Sequence, residues 1–325
     1  MALMQTLTLK DTDLRVSRAC FGTMTFGSQT DRASAQRMVD MCLDHGVNFF
    51  DTANVYNKGA SEHILGETLK DRRNRVVVAS KVRGKMGDAP DESGLSRAAM
   101  LKAIDESLQR LGTDYLDIYY LHAPDRNTPI EETLATMNEI VRAGKVRYPA
   151  CSNYAAWEVV EMLCISGRNG YRPPLITQPM YNLLARAIEQ EFLPMCKRFD
   201  ISTAVYNPLA GGLLTGKQHR ERPVPGTRFD NNKLYLDRYW HPAYFDALDE
   251  LSAANRTGRS LVDVALSWLL HHTATDCVIL GASKPEHLQQ NLEVVEKSAP
   301  LPPELLAVCD EIWAKLRGVT PQYNR

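Results

Sequence analysis

Paired cysteines, an excess of one charge, a long apolar run and a dinucleotide-type glycine loop are all missing from this 325-residue chain. Its seven cysteines (Cys20, Cys42, Cys151, Cys164, Cys196, Cys277, Cys309) lie far apart with no CxxC. Disulfide frameworks and zinc ribbons need close, paired spacings, so no metal site is expected and the thiols suit a reducing cytoplasm. Lys and Arg number 38 against 39 Asp and Glu, a balance with no field for gripping phosphate backbones or an anionic membrane. Nucleic-acid and membrane partners are therefore not expected, whereas self-association into a homo-oligomer stays open. No apolar stretch approaches the ~18–20 residues of a membrane span, and Met1–Lys10 has neither the basic head nor the apolar core of a secretory signal. No Gly/Ser-rich or Pro-rich linker divides the chain, so one domain over residues 1–325 is expected, in the cytoplasm. What is present is ordinary globular composition, 44% apolar and 24% charged.

Short β-rich runs alternate with stretches of helical period. After a hairpin turning at Asp11-Thr12-Asp13, strands are predicted at 19–21, 47–51, 76–79, 116–121, 146–151, 175–178, 201–206 and 277–280. Helical stripes fall between them: Ala35, Met38, Val39 and Cys42; Ile64, Leu65 and Leu69; Met100, Ile104, Leu108 and Leu111; Ile130, Leu134, Met137 and Val141; and the stretches 157–165, 191–199 and 261–270. Eight alternating units imply an α/β fold with a parallel sheet, either closed as a barrel or open and doubly wound, and periodicity does not separate the two. The stretch Gly211 to Trp240 is rich in Gly, Pro and Arg and too long for a connector, which marks a flap over a site.

In either architecture chemistry collects where strands end. Asp51 ends the second predicted strand, Lys81 follows the third, His122 follows the fourth, and Tyr56 lies five residues beyond Asp51. Taken singly, such an Asp caps a turn, such a Lys is a solvated rim, and a His or Tyr is packing. Three successive strands delivering ionisable groups to one rim favour a site. A phenol with pKa ~10 is a poor proton donor near neutrality; a nearby ammonium is expected to lower that value, a carboxylate to keep the ammonium charged, and a neutral imidazole to donate to a developing oxyanion. The set fits proton transfer at a carbonyl or alcohol.

At these residues the sequence resembles the aldo-keto reductase superfamily. Gly22-Thr23-Met24-Thr25-Phe26-Gly27 is similar to its first loop, and Asn48-Phe49-Phe50-Asp51-Thr52-Ala53, with Tyr56 and Gly59-Ala60-Ser61-Glu62, to its Asp/Tyr signature. Ser80-Lys81-Val82 resembles its lysine strand and Leu116 to His122 its histidine strand. The resemblance implies a (β/α)8 barrel that reduces a small-molecule carbonyl with NADP(H), ahead of NAD(H), using Tyr56, Lys81, Asp51 and His122. It further implies that Ser152, Asn153 and Gln178 hold the nicotinamide carboxamide and Tyr206 stacks on the ring. Gly22, Thr23, Gly281 and the flap residues Asn207, Leu209, Gly211 and Lys217 would line the dinucleotide, and Ser283, Lys284, Gln290 and Asn291, with Arg228 from the flap, would grip its adenosine 2′-phosphate end. Ser283-Lys284-Pro285-Glu286 also has capping-box spacing, which predicts a helix start. Many NADPH-preferring members carry Arg where this chain has His287, and Pro149-Ala150-Cys151 replaces the usual Gly and Val. Gly211 to Lys217 satisfies the GxxxxGK spacing of a nucleotide loop, but Gln218 stands where a magnesium-binding Ser or Thr belongs. A second reading from the same resemblance is a cofactor-holding regulatory subunit like the potassium-channel β subunits. Substrate identity rests on the loops 24–30 and 85–94, Tyr235, Tyr239 and Trp240 of the flap, and a tail with Trp313 and Tyr323.

Overall fold

Side chains alternate between the two faces of a strand, and strands buried on both faces read as near-continuous apolar runs. In the computed structural model, which describes residues 4–319, eight such strands close into a parallel barrel. An antiparallel hairpin, β1 (Thr6–Thr8) and β2 (Arg15–Ser17), precedes it. The barrel strands are β3 (Ala19–Gly22), β4 (Phe49–Asp51), β5 (Val77–Val82), β6 (Leu116–Leu121), β7 (Val146–Ser152), β8 (Ile176–Gln178), β9 (Ser202–Val205) and β10 (Cys277–Gly281), with β10 pairing back onto β3. The architecture is the (β/α)8 barrel, which decides between the closed and open alternatives.

Alternation sorts the core into two layers. Phe49, Val77, Ala79, Ile118, Tyr120, Ile176, Ala204 and Ile279 point inward, while their neighbours Phe50, Val78, Tyr119, Leu121, Val205 and Leu280 face the helices. Leu9, Leu14 and Val16 of the hairpin join the inner layer and plug one end. The hairpin is tied there by Asp13, which accepts from Tyr148 Oη at 2.7 Å and pairs with Arg147. The opposite end, where the strands terminate, is left for chemistry.

The helices follow the predicted stripes, with departures that have physical causes. β5 runs on to Val82, so Lys81 lies within the strand rather than after it. Pro149 lies inside β7, opposite Tyr119 in the β6–β7 register. The stretch 211–240 is not wholly irregular: a 3-10 turn spans Ala210–Thr215 and a helix spans Lys233–Tyr239, where Tyr235 and Tyr239 are buried four residues apart. Two helices lie outside the repeat, Pro242–Ala254 and Pro303–Arg317, each opened by a proline in its first turn and packed against the other. Trp313 belongs to the second of these, and Tyr323 lies outside the described residues.

Gly66 shows how tightly the helices pack. It lies inside the helix Ala60–Leu69, where alanine would ordinarily add ~1 kcal/mol. A Cβ there would collide with the backbone carbonyl of Leu111. Gly66→Ala should therefore lower the urea-unfolding free energy, by about 1–3 kcal/mol, where propensity alone predicts a gain; an unchanged or higher midpoint would refute the packing.

Candidate active site

The alternation that builds the core also builds the site. Continuing each strand's inward register to its last position gives Gly22, Asp51, Lys81, His122, Ser152, Gln178, Tyr206 and Gly281, one from each strand of the barrel. Six carry polar or aromatic groups. The two glycines stand opposite each other on the neighbouring strands β3 and β10. A Cβ on Gly281 would meet nothing within 4 Å, whereas one on Gly22 would strike Ile279 at 2.9 Å. The ring is thus open on the glycine side.

Lys81 is fully buried, and its three N–H bonds are all accounted for. Nζ donates to Asp51 Oδ1 at 2.5 Å, to the Thr52 carbonyl at 2.7 Å and to Tyr56 Oη at 3.2 Å. Burial works against the ammonium, but Asp51 and Tyr56 together outweigh it, and the lysine pKa is raised. Tyr56 comes from a 3-10 turn after β4, in which Asn57 and Lys58 adopt left-handed backbone (φ 51° and 53°). Its oxygen is taken by Lys81, and no acceptor among the described residues takes its proton. Burial pushes the phenol up, and Lys81 pulls it down by less, so the net shift is upward. The expected lowering is therefore reversed, because desolvation of the phenolate exceeds the attraction of an ammonium already neutralised by Asp51. His122 stands just past β6 with its ring edge-on to Tyr56, centroids 5.9 Å apart. Burial, then the charges of Lys81 and Arg83, hold its pKa down to about 3, so the imidazole is neutral and donates as N–H rather than as a cation.

On the far side of the ring a second group is held together by hydrogen bonds. Tyr206 Oη donates to Asn153 Oδ1 at 2.8 Å, Asn153 Nδ2 to Ser152 Oγ at 3.0 Å, and Ser152 Oγ to the Gln178 carbonyl at 2.8 Å. Asn153 has φ 61°, a left-handed turn that asparagine tolerates. The next helix starts at Ala156 with Ala155 as its cap, so Ser152 and Asn153 are not capping it.

The Aldo/keto reductase family model matches residues 18–314. The chain is 34% identical to the Probable voltage-gated potassium channel subunit beta of Arabidopsis thaliana, over 95% of this chain and 96% of that one. It is 36% identical to Aflatoxin B1 aldehyde reductase member 2 of Mus musculus (94% and 86%) and 34% identical to Aldo-keto reductase family 7 member A3 of Homo sapiens (94% and 96%). The chain belongs to the aldo/keto reductase family. Membership, with relatives named as aldehyde reductases, supports an oxidoreductase.

The aldo/keto reductase family generally uses a nicotinamide dinucleotide, and the residues present fit one. Beside the glycine gap, the flap turn is drawn through left-handed backbone at Asn207, Ala210, Gly211 and Gly212. Asn207 Nδ2 is buried there without a hydrogen-bond partner. The helix Pro285–Lys297 begins with Lys284 at its cap position and no capping side chain. The capping box is thus not formed, and the helix end keeps its affinity for an anion. Burial, then the charges of Lys217 and Lys284, lower the pKa of His287. Asn291 is buried while Gln290 is exposed on the same helix. Arg228 is committed to Tyr235, donating to its hydroxyl at 3.0 Å. Thr23 is buried beneath the rim, bonded to Ser61 Oγ and the Asp51 carbonyl. Ser283 is half-buried and Leu209 half-buried on the flap. Among the described residues no group of three or more His, Cys, Asp or Glu could hold a metal, and no helix is long and apolar enough to cross a membrane.

One residue and one contact escaped the sequence reading. Thr52 holds Lys81 through its carbonyl, for which no residue type is diagnostic. Gln178, expected at the carboxamide, also donates from Nε2 to Asp51 Oδ2 at 2.8 Å, a contact across the barrel between strands that are not neighbours. The neutral imidazole has a measurable consequence. An unfolded imidazole takes up a proton below pH ~6.5, which folded His122 does not, so acid favours unfolding. Between about pH 7 and pH 5 the wild-type protein should lose more stability in urea than His122→Asn, and the His122 Hε1 resonance should stay flat. A midpoint near 6.5 in that resonance would contradict burial.

Proposed function

We propose that this protein is an NADPH-dependent reductase of aldehydes or ketones in which Tyr56 donates the proton. The observation that carries the reading is the direction of the bond at Tyr56: Lys81 donates to the phenol oxygen, so the phenol's own proton is the one left to give. A bound nicotinamide supplies the hydride. A carbonyl oxygen seated between Tyr56 and His122 accepts from both as negative charge grows on it. When Tyr56 gives up its proton, the phenolate is left beside an ammonium, an attraction that strengthens where water is excluded. Asp51 keeps that ammonium charged, since a buried Lys81 without a partner would tend to lose its proton.

In this reading Ser152, Asn153 and Gln178 hold the carboxamide, and Tyr206 stacks on the ring. The gap at Gly22 and Gly281, above buried Thr23, and the flap residues Asn207, Leu209 and Gly211 accommodate the pyrophosphate. Lys217, Ser283 and Lys284 at the uncapped helix take the 2′-phosphate, Gln290 and Asn291 lie toward the adenine, and Arg228 supports the flap through Tyr235. The protein acts in the cytoplasm on a small carbonyl compound.

Tyr56→Phe should bind NADPH within about threefold of wild type yet lose about 10²–10⁴ in kcat; near-normal reduction of an aldehyde by that variant would remove Tyr56 from the mechanism. Lys284→Ala should weaken NADPH about tenfold, the worth of one charge-assisted contact, with little effect on NADH. Equal loss for both cofactors would refute the 2′-phosphate role. The likeness to a protein named as a potassium channel β subunit favours a second reading, a regulatory cofactor-holding subunit. Sustained multiple turnover with a simple aldehyde supports the enzyme, and oxidation of NADPH that stops at one equivalent supports the subunit.

A further inference from the structure

The side chains assigned to the nicotinamide seat and those assigned to the proton donor meet in one hydrogen-bonded chain. From Tyr206 it runs through Asn153 and Ser152 to the backbone of Gln178. The Gln178 amide then donates to Asp51 Oδ2 at 2.8 Å, and the other carboxylate oxygen takes Lys81, which donates to Tyr56. Gln178 and Asp51 are both buried. Among the described residues this bond is the side-chain link between the seat and the limb that ends at Tyr56.

A carboxylate decides how the amide lies. With Oε1 turned toward Asp51, two acceptors would face each other without a proton between them, in a site too buried for water to relieve the repulsion. The negative charge therefore fixes Nε2 toward Asp51, with the Tyr120 hydroxyl also beside the amide, and leaves Oε1 for another partner. A primary carboxamide, which carries two N–H donors, is complementary to that acceptor.

We propose that Gln178 is a positioning residue that couples occupancy of the nicotinamide seat to the Asp51–Lys81–Tyr56 limb: Asp51 sets the orientation in which Gln178 meets a carboxamide, and the same bond carries the state of the seat back to Asp51. The inference rests on reading Ser152, Asn153 and Gln178 as that seat. Coupling between two sites is reciprocal in binding free energy, so it is visible in cofactor affinity alone, without turnover.

The test is a double-mutant cycle on the dissociation constant of NADPH, read from quenching of protein fluorescence in the binary complex. Wild type, Asp51→Asn, Gln178→Leu and the double variant form the cycle. Because Asp51→Asn alone strands a buried ammonium, the cycle is also run with the paired change Asp51→Asn/Lys81→Met, which removes both charges together, in place of Asp51→Asn. Asp51→Asn should weaken NADPH about fivefold or more when Gln178 is present and less than about twofold when residue 178 is leucine, the non-additivity of groups in contact. Ser152→Ala, which also weakens the seat but does not touch Asp51, should combine additively with Asp51→Asn. A general loss of folding would move all the affinities alike and cannot produce this contrast. If NADPH binds and the Asp51 and Gln178 effects are additive in both cycles, the coupling is overturned while the seat stands. If the wild type binds neither NADPH nor NADH, the seat and the coupling fall together.

Discussion

A buried ammonium with nowhere else to go organises this molecule. Lys81 enters the barrel interior because its register on β5 leaves no alternative, following Val77 and Ala79 inward. Removing such a charge from water costs several kcal/mol unless partners surround it, and breaking one side of a buried pair costs about 3–5 kcal/mol. Three acceptors meet the three protons, from a carboxylate, a carbonyl and a phenol. Asp51 ends β4, Thr52 follows it directly and Tyr56 comes from the turn beyond, so satisfying Lys81 fixes the position of Tyr56. The requirement that holds the charge also aims the phenol.

The barrel separates stability from chemistry along its axis. One end is stopped by the apolar side chains of the hairpin and clamped by Asp13 against Arg147 and Tyr148. The other end presents the last inward residue of every strand. Three of those positions, Asp51, Lys81 and His122, form the polar limb on consecutive strands. Ser152, Gln178 and Tyr206 form a second group on the next three, and two paired glycines leave the remaining arc open. Electrostatics follow the same division. His122 is held neutral by burial and by the cations beside it, while Lys81 is held charged by its partners in spite of burial. Neighbouring groups with opposed protonation behaviour are a recurrent feature of functional sites.

Much of this could be read from the amino acids because both signals are local. The period of two along β-rich runs, punctuated by helical stripes, gives eight units. A polar residue closing an apolar strand, as Asp51 closes Phe49-Phe50, marks the rim. Closure of the barrel was not readable from periodicity, since it depends on β10 reaching β3, a contact between residues some 260 positions apart; the family resemblance supplied it. The upward shift of Tyr56 was not readable either, because it is a balance between burial and charge that residue types do not encode. The hydroxyl of Ser283 and the carboxylate of Glu286 had the spacing of a capping box, yet the helix begins at Pro285 with Lys284 at the cap. The role of Gln178 at Asp51 was hidden because β4 and β8 are far apart in sequence and meet only across the barrel interior.

Lys81 is held as a buried ammonium by Asp51 and Tyr56. Nitrogen-detected NMR of the ligand-free protein labelled at lysine Nζ measures this directly through a pH titration. Exposed lysines should lose their protons near pH ~10.4, whereas one Nζ signal, absent in Lys81→Met, should remain an ammonium beyond that point. A Lys81 signal in the neutral amine range at about pH 8 would contradict it.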